Sequence, residues 1–246
     1  MKLKALGLCG IDESVDPLLL KLISNKYPFV EWGVLFRPDK MGSDRYPNME
    51  WVSQLIQIKN DNMYLAAHLC GDYVNQVLEG DESFIKILES YQFKRIQVNA
   101  TSINGVDTKN LSDKVPNLLK IIDLYPNINW IIQRNEETSP IWKYIETKLS
   151  VISTNISFLY DDSCGKGISK KISINFNSKV PFGYAGGINP NNIGKKLVEL
   201  DDFTKDEEII WIDMESGIRS NINGRDVFDI NKAFKCILKA ENYILK

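Results

Sequence analysis

The sequence predicts an α/β fold, a (β/α)8 or TIM barrel, and three observations support that fold class. Stretches typical of strands and helices alternate eight times along 246 residues, at roughly thirty residues per unit, which is the spacing of a parallel barrel. The hydrophobic content of 43% and the charged content of 25% are those of a globular protein with a sizeable core. Near the C-terminus two successive strand ends turn through glycines, where TIM barrels hold phosphate. No repeat or low-complexity linker divides the chain, so residues 1–246 are predicted to form a single TIM-barrel domain.

The eight predicted strands are short apolar runs that end at glycine or at polar residues. Gly10 closes the first strand, and the second precedes a loop whose Pro38, Gly42 and Pro47 stop regular structure. The region 168–179 alternates apolar and polar residues, a pattern that does not favour a helix. The predicted strand ranges are 4–9, 32–36, 64–69, 95–99, 130–133, 156–160, 182–185 and 209–213.

The eight predicted helices carry apolar residues three and four positions apart, as one buried helix face requires. In the first helix, Leu18, Leu19, Leu22 and Ile23 form the predicted apolar face. The predicted helical ranges are 15–25, 49–58, 73–78, 84–90, 115–124, 141–149, 191–200 and 230–243.

The stretch 184–193 is the strongest local signal for a ligand. Gly186 and Gly187 follow a short strand and would let the backbone approach a bound group closely. Asn189 is predicted as the N-cap of the next helix and Pro190 as its first residue, where a missing N–H costs nothing. A helix start of this kind suits a phosphate. A second glycine corner follows the eighth strand at 214–218.

Composition limits the partners and the compartment. The net charge of −2 argues against nucleic acid or an acidic membrane as a partner. No apolar run reaches transmembrane length, and the first residues lack the core of a signal peptide. Four cysteines do not make a disulfide framework in a chain of this size, so a cytoplasmic location is predicted.

Several stretches resemble phosphoribosylanthranilate isomerase, a TIM-barrel enzyme of tryptophan biosynthesis. Residues 185–193, Ala-Gly-Gly-Ile-Asn-Pro-Asn-Asn-Ile, are similar to that family's Ala-Gly-Gly-Leu-Asn-Pro-Glu-Asn-Val. Residues 6–11 resemble its Lys-Ile-Cys-Gly-Ile strand, and 212–218 resemble its Val-Asp-Val-Ser-Ser-Gly-Val. Shorter likenesses occur at 33–36 with 43–46, where the family has a Ser-Pro-Arg loop, and at 224–226. The resemblance implies a barrel of the ribulose-phosphate-binding type.

The resemblance also implies an activity, the Amadori rearrangement of a phosphorylated aminoaldose to an aminoketose. That reaction needs an acid for the ring oxygen and a base for the C2′ proton. By resemblance Cys9 is the base and Asp161 the acid, with Asp162 as the competing acid because one residue along a strand reverses the side chain's direction. A nearby cation such as Arg45 could favour the thiolate of Cys9. From the residues alone, structural roles are open alternatives: Cys9 as a small buried hydrophobic residue, and Asp161 as a carboxylate that caps a loop.

Substrate binding is implied for a further set of residues. Arg45 would pair with the carboxylate of the substrate, with Arg37 as its substitute, and His68 is a pocket residue. The phosphate would lie on Gly186, Gly187, Ser216 and Gly217. The implied ligand is a phosphorylated small molecule, without cofactor or metal, bound by a monomer or a homodimer.

Departures from the family pattern leave a second reading open. Glu215 replaces a serine beside the phosphate corner and would repel phosphate unless Arg219 offsets it, while the loop at 162–167 is shorter than the family's. His68 and Cys70 stand where the family has other residues, and with Cys9 and Cys164 they form a minor alternative, an N/S metal site. These residues fit a divergent barrel that binds a phosphosugar or nucleotide precursor with a different activity or none.

Overall fold

Eight parallel strands close into a barrel in the order β1 to β8, with β8 paired to β1, in the computed structural model of the chain. The structure describes residues 1–148, 155–161, 180–204 and 209–244. The barrel strands are β1 (Lys2–Cys9), β2 (Val30–Phe36), β3 (Tyr64–Leu69), β4 (Arg95–Val98), β5 (Asn129–Arg134), β6 (Ile156–Asp161), β7 (Phe182–Ala185) and β8 (Ile209–Met214). The predicted fold class is therefore confirmed. The pattern at 168–179 lies outside the described residues.

Helices surround the barrel where they were predicted, with ends shifted by a few residues. They are α1 (Pro17–Lys26), α2 (Met49–Ile58), α3 (Asp72–Glu79), α4 (Ser83–Ser90), α5 (Leu111–Leu124), α6 (Ser139–Thr147), α7 (Ile193–Phe203) and α8 (Ile230–Ala240). A hairpin of β9 (Arg219–Ile222) and β10 (Arg225–Phe228), absent from the prediction, follows β8. Among the described residues, no helix combines the length and the apolar character that a membrane crossing requires.

The predicted apolar face of α1 is wrong for its three leucines and correct for Ile23. Leu18, Leu19 and Leu22 are 56%, 37% and 66% exposed, whereas Ile23 is buried together with Leu20 and Ser24. The helix turns a polar residue inward because Ser24 has a partner in the core, the indole N–H of Trp32, which donates to its Oγ at 2.8 Å. Because α1 carries leucines on several sides of the helix, the sequence pattern alone does not determine which side packs against the barrel.

The floor of the barrel is closed by polar and aromatic side chains. Glu31 and Arg95 form an ion pair at 2.6 Å between β2 and β4. The Arg95 guanidinium lies 4.3 Å from the ring centroid of Trp211, a cation–π distance. Trp211 in turn fills the space beside Gly183, where a Cβ would come within 2.2 Å of the indole. This end of the barrel is therefore filled, and a cavity lies toward the carboxyl ends of the strands, where TIM barrels bind ligands.

Candidate active site

A cavity of about 100 Å³ lies at the carboxyl ends of the strands. Its walls come from most of the barrel, because each strand contributes its last inward-facing residues. Seven of the eight residues predicted for the site line it: Cys9, His68, Asp161, Gly186, Gly187, Ser216 and Gly217. The structure thus brings the predicted acid, the predicted base and both glycine corners to one space.

The two glycine corners touch each other. Gly186 and Gly187 have φ of 136° and 60°, the region that favours glycine. A Cβ on Gly217 would lie 1.9 Å from the carbonyl oxygen of Ile188, so the corner after β8 packs directly on the corner after β7. Backbone from two strand ends therefore borders one part of the cavity.

The predicted start of the helix after β7 is wrong. The helix α7 begins at Ile193 with Asn192 as its N-cap, and Pro190 lies in the turn before it. Asn189 Oδ1 accepts from the N–H of Asn191 at 2.9 Å, and Asn192 Oδ1 accepts from the N–H of Asn189 at 2.8 Å. These local bonds between asparagines compete with the helix and delay it by one turn.

Cys9, His68 and Asp213 converge from three strands at the base of the cavity. Cys9 Sγ lies 3.6 Å from His68 Nε2 and donates to Asp213 Oδ1 at 3.4 Å. Glycines on β1 and β2 make this possible, since a Cβ on Gly33 would lie 2.7 Å from Cys9 Sγ and 2.9 Å from His68 Nε2. A Cβ on Gly7 would lie 1.5 Å from Asp213 Oδ1. Because Gly7 and Gly33 have no side chains, the functional groups of Cys9, His68 and Asp213 can occupy the space beside them.

The surroundings of Cys9 oppose ionisation of its thiol. Burial, and then the nearby carboxylates of Asp213 and Glu215, raise the pKa of Cys9 well above its ordinary value. Arg45 forms ion pairs elsewhere, so the expectation that it would favour the thiolate is wrong. The thiol can act as a base only after a neighbour has accepted its proton.

The two neighbours of the thiol have shifted pKa values of their own. Burial, with a smaller effect of Arg95, lowers the pKa of His68 to about 3, so the imidazole is neutral. Burial and the carboxylate of Glu31 raise the pKa of Asp213 to about 7. Of the two, Asp213 is the stronger base near neutral pH and the better acceptor for the proton of Cys9, whereas the lowered pKa of His68 makes its imidazole a weak acceptor.

Asp161 is the last residue of β6, and only 4% of it is exposed. Its carboxylate Oδ2 lies 3.5 Å from Nε2 of Gln133 on β5, a side chain that also lines the cavity. The competing acid, Asp162, and the predicted loop at 162–167 with Cys164 lie outside the described residues.

Arg45 is the one predicted site residue that does not line the cavity. Its guanidinium pairs with Glu215 Oε1 at 2.8 Å and with the carboxylate of Asp226, and it donates to Ser216 Oγ at 3.2 Å. The role of Arg45 toward a substrate carboxylate stays a prediction, and such a contact competes with two carboxylates of the protein. The substitute, Arg37, pairs with Asp39 at 2.9 Å.

Arg219 does not offset Glu215, contrary to the prediction. Its side chain is 1% exposed and pairs with Asp12 Oδ2 at 2.7 Å and with Asp226 Oδ1 at 3.0 Å. It also donates to the carbonyl oxygens of Gly10 and Asp226. Arg219 thereby ties the loop after β1 to the hairpin after β8, and the charge of Glu215 is balanced by Arg45 instead.

Replacing Arg219 by alanine should reduce the free energy of unfolding by about 3–5 kcal/mol, because Asp12 would be left as a buried charge without its partner. Burial raises the pKa of Asp12, but hydrogen bonds from Ser14 and Arg219 outweigh it and hold that pKa below its ordinary value. A lowered pKa stabilises the fold at pH values above the unfolded value of about 3.9, and this stabilisation is lost as the pH falls through the folded value. Denaturant unfolding of both proteins from pH 7 to pH 3 measures this. The difference between them should shrink toward pH 3, and a difference that does not change with pH would contradict the assignment.

Cys70 does not join His68, although alternation along a strand predicted the same side for both. The strand β3 ends at Leu69, so the alternation stops before Cys70. The Cys70 sulfur lies 3.5 Å from Nδ2 of Asn99 and 3.9 Å from Oδ1 of Asn104. Burial raises the pKa of its thiol to about 12. Cys70 is therefore wrong as a member of the alternative metal site, and Cys164 lies outside the described residues.

Sequence reasoning missed four buried polar side chains that line the cavity, Gln97, Asn99, Gln133 and Asp213, and the half-buried Asn104. Each of the four buried residues lies at or beside the carboxyl end of a strand, at an inward position, and is at most 5% exposed. The signal was present, because a polar residue in an otherwise apolar strand of a barrel is expected to face a site. The apolar residues on both sides identify the strand, and the polar residue among them marks the cavity.

Comparison with solved structures finds the same barrel. The phosphoribosylanthranilate isomerase of Thermus thermophilus superposes with a TM-score of 0.58 at 14% identity, over 98% of this chain and 99% of that one. TrpF from Jonesia denitrificans gives 0.60 at 15% identity over 97% of each chain. The fold of this chain is theirs. A third such isomerase, solved with reduced 1-(o-carboxyphenylamino)-1-deoxyribulose 5-phosphate, gives 0.57 at 14% identity over 97% of this chain and 98% of that one.

No sequence family matches the chain, and neither does any curated protein. The identities of 13–15% with the solved isomerases establish a shared architecture over nearly the whole length. The activity has to be argued from the cavity itself.

Proposed function

We propose that the protein is an isomerase that acts on a phosphorylated aminoaldose, with phosphoribosylanthranilate as the first candidate substrate. One observation carries this proposal: a single cavity is lined by Cys9 at the end of β1, by Asp161 at the end of β6, and by both glycine corners. Acid, base and a phosphate-sized backbone cradle are what the reaction requires in one space.

The proposed chemistry moves two protons. Asp161 donates a proton to the furanose ring oxygen, the ring opens, and the C1′–nitrogen bond becomes an iminium. Cys9, after passing its thiol proton to Asp213, removes the C2′ proton, and the electrons of that bond neutralise the iminium nitrogen. The enolamine that forms then tautomerises to the aminoketose.

The neighbouring isomerase structure supports the ligand class. That protein was solved with a reduced carboxyphenylamino-deoxyribulose phosphate, and its barrel has the fold of this chain. In this chain, the corners at Gly186–Gly187 and Ser216–Gly217 offer backbone groups to a phosphate, and Arg45 lies against Ser216. The phosphate would lie beside Arg45, and it would compete with Glu215, which already forms an ion pair with that guanidinium.

A second candidate is a phospholigand-binding barrel with a different reaction or none. The observation in its favour is the negative charge around Cys9, since Asp213 and Glu215 line the same cavity. Two carboxylates oppose both a thiolate and a phosphate dianion. An anthranilate-type substrate, which adds a carboxylate of its own, suits this cavity less than a neutral aglycone does.

The fluorescence decay of freshly prepared phosphoribosylanthranilate, measured with EDTA present, tests the main proposal. We expect the protein to accelerate the decay and to yield a product of unchanged mass with a new chromatographic retention. Release of free anthranilate would show hydrolysis instead of isomerisation. A folded protein that leaves the decay unchanged, but whose melting temperature rises with inorganic phosphate, would refute the isomerase and favour the second candidate.

A further inference from the structure

The cluster of Cys9, His68 and Asp213 has the geometry of a metal site. Their ligand atoms all lie within 4.8 Å of one another, and all three residues are buried. A zinc ion lies about 2.3 Å from sulfur and about 2.0–2.1 Å from nitrogen or oxygen, so ligands at tetrahedral angles are about 3.5 Å apart. The observed separations are 3.6 Å for sulfur to nitrogen and 3.4 Å for sulfur to oxygen. Both separations from the sulfur therefore match those between ligands of a tetrahedral ion.

We propose that Cys9 Sγ, His68 Nε2 and Asp213 Oδ1 bind a thiophilic divalent ion of the zinc class, with a fourth position open to the cavity. Binding breaks the S–H bond of Cys9, whose proton passes to solvent, and the freed sulfur lone pair bonds to the ion. A mixed set of sulfur, nitrogen and oxygen ligands selects zinc or cobalt over magnesium and calcium, which prefer oxygen alone.

Charge supports the same assignment. A thiolate and a carboxylate together balance a divalent ion, and the imidazole adds no charge to the set. Glu31 and Glu215 act on this cluster as further negative groups, and Arg95 is the opposing cation. Arg95 is paired with Glu31 on the barrel floor. Glu215 is paired with Arg45 in the same way. Asp213 is then the carboxylate of the cluster that has no ion pair among the described residues, and a divalent ion would supply its counter-charge in a low dielectric.

A buried side-chain oxygen without a hydrogen-bond donor supports an open fourth position on the ion. Gln97 lies on β4 directly beside His68 on β3, lines the cavity and is 4% exposed. Its Nε2 donates to Asn99, but its Oε1 has no hydrogen-bond partner among the described residues. A buried carbonyl without a donor is costly, and a water on the fourth metal position would supply the donor.

A bound metal ion and the proton of the substrate would compete for the same atom, Cys9 Sγ. While Cys9 Sγ is bonded to a metal it cannot accept a proton from substrate, so the metal-bound protein is inactive as an isomerase. The metal site itself rests on the cluster alone and stands whether or not the protein is an isomerase.

Cobalt titration of the EDTA-treated, desalted protein is the test. We expect one Co²⁺ per chain, with a near-ultraviolet thiolate-to-cobalt absorption and the visible bands of a tetrahedral ion, both removed by Zn²⁺. Cys9→Ala should abolish the thiolate band, and His68→Gln should weaken binding by more than the ten- to hundredfold typical of second-shell changes. Cys70→Ala is the matched control, because Cys70 is a second buried thiol that does not line the cavity, and this variant should leave the spectrum unchanged.

The wild-type protein alone can refute the site. If folded wild type gives no thiolate-to-cobalt band, or if the band survives in a folded Cys9→Ala variant, the proposal is overturned. Should Cys9→Ala not fold, Cys9→Ser, which keeps nearly the same volume but lacks the sulfur, gives the same decision through the thiolate-to-cobalt band. None of these readouts depends on turnover, so loss of the metal site and loss of the isomerase are separate results.

Discussion

Cys9→Ala is expected to lower kcat for phosphoribosylanthranilate by about 10²–10⁴-fold, the usual contribution of a positioned general base. The thiol is the only group of the Cys9, His68 and Asp213 cluster that lies at the end of β1, where the resemblance places the base. Removing it leaves His68 and Asp213 at distances set for the sulfur. Their proton-accepting atoms would then face an empty space. The assay is the fluorescence decay with EDTA, which also removes any bound ion.

Two controls separate this result from damage to the fold. Cys70→Ala removes a second buried thiol near the cavity that does not line it, and Cys236→Ala removes one from α8. Both should keep wild-type turnover. The thermal melt of Cys9→Ala should remain cooperative, because loss of one buried sulfur costs on the order of 1 kcal/mol. A Cys9→Ala variant that turns over like wild type would exclude the thiol as base.

The barrel could be predicted because its signals are redundant. Each strand is an apolar run too short for a helix, each ends at a turn residue, and the alternation repeats along the whole chain. Errors arose where one signal had to decide alone. The run Leu18 to Leu22 offered several helix phases, and only the inward partner of Ser24, Trp32, selects among them. The asparagines after Gly187 form hydrogen bonds with one another that compete with helix formation, so the helix begins later than predicted.

The site was predictable as a set of strand ends but not as a network of charges. Cys9, Asp161 and the glycine corners follow from where parallel strands finish. The pairs Arg45–Asp226 and Arg219–Asp12 do not, because their members lie far apart in sequence and meet only through the loop after β1 and the hairpin β9–β10. Likewise, Gly7 and Gly33 read as ordinary strand residues, and their function appears only when neighbouring strands are in register. Long-range pairing is the information that a local pattern lacks.

Asp161→Asn is expected to lower kcat by about 10²–10⁴-fold with little change in KM, because an amide fills the same space but carries no acidic proton. The carboxylate is the last residue of a strand and faces the cavity beside Gln133. Asp162→Asn is the matched variant, one residue further along the chain, and should keep most of the activity. Both are measured by the same fluorescence decay, with phosphate-induced thermal shifts to show that the ligand corner is intact.

The pair of variants decides the assignment of the acid in either direction. Consecutive residues on a strand point to opposite sides, so one aspartate at most can serve the cavity from β6. Loss of turnover in Asp162→Asn with activity kept in Asp161→Asn would move the acid by one residue and imply that the strand turns before Asp161. If both variants were as active as wild type, the ring oxygen would be protonated from elsewhere. Glu215 is then the carboxyl group to test next, since it lines the same cavity, and Arg45 is its ion-pair partner among the described residues.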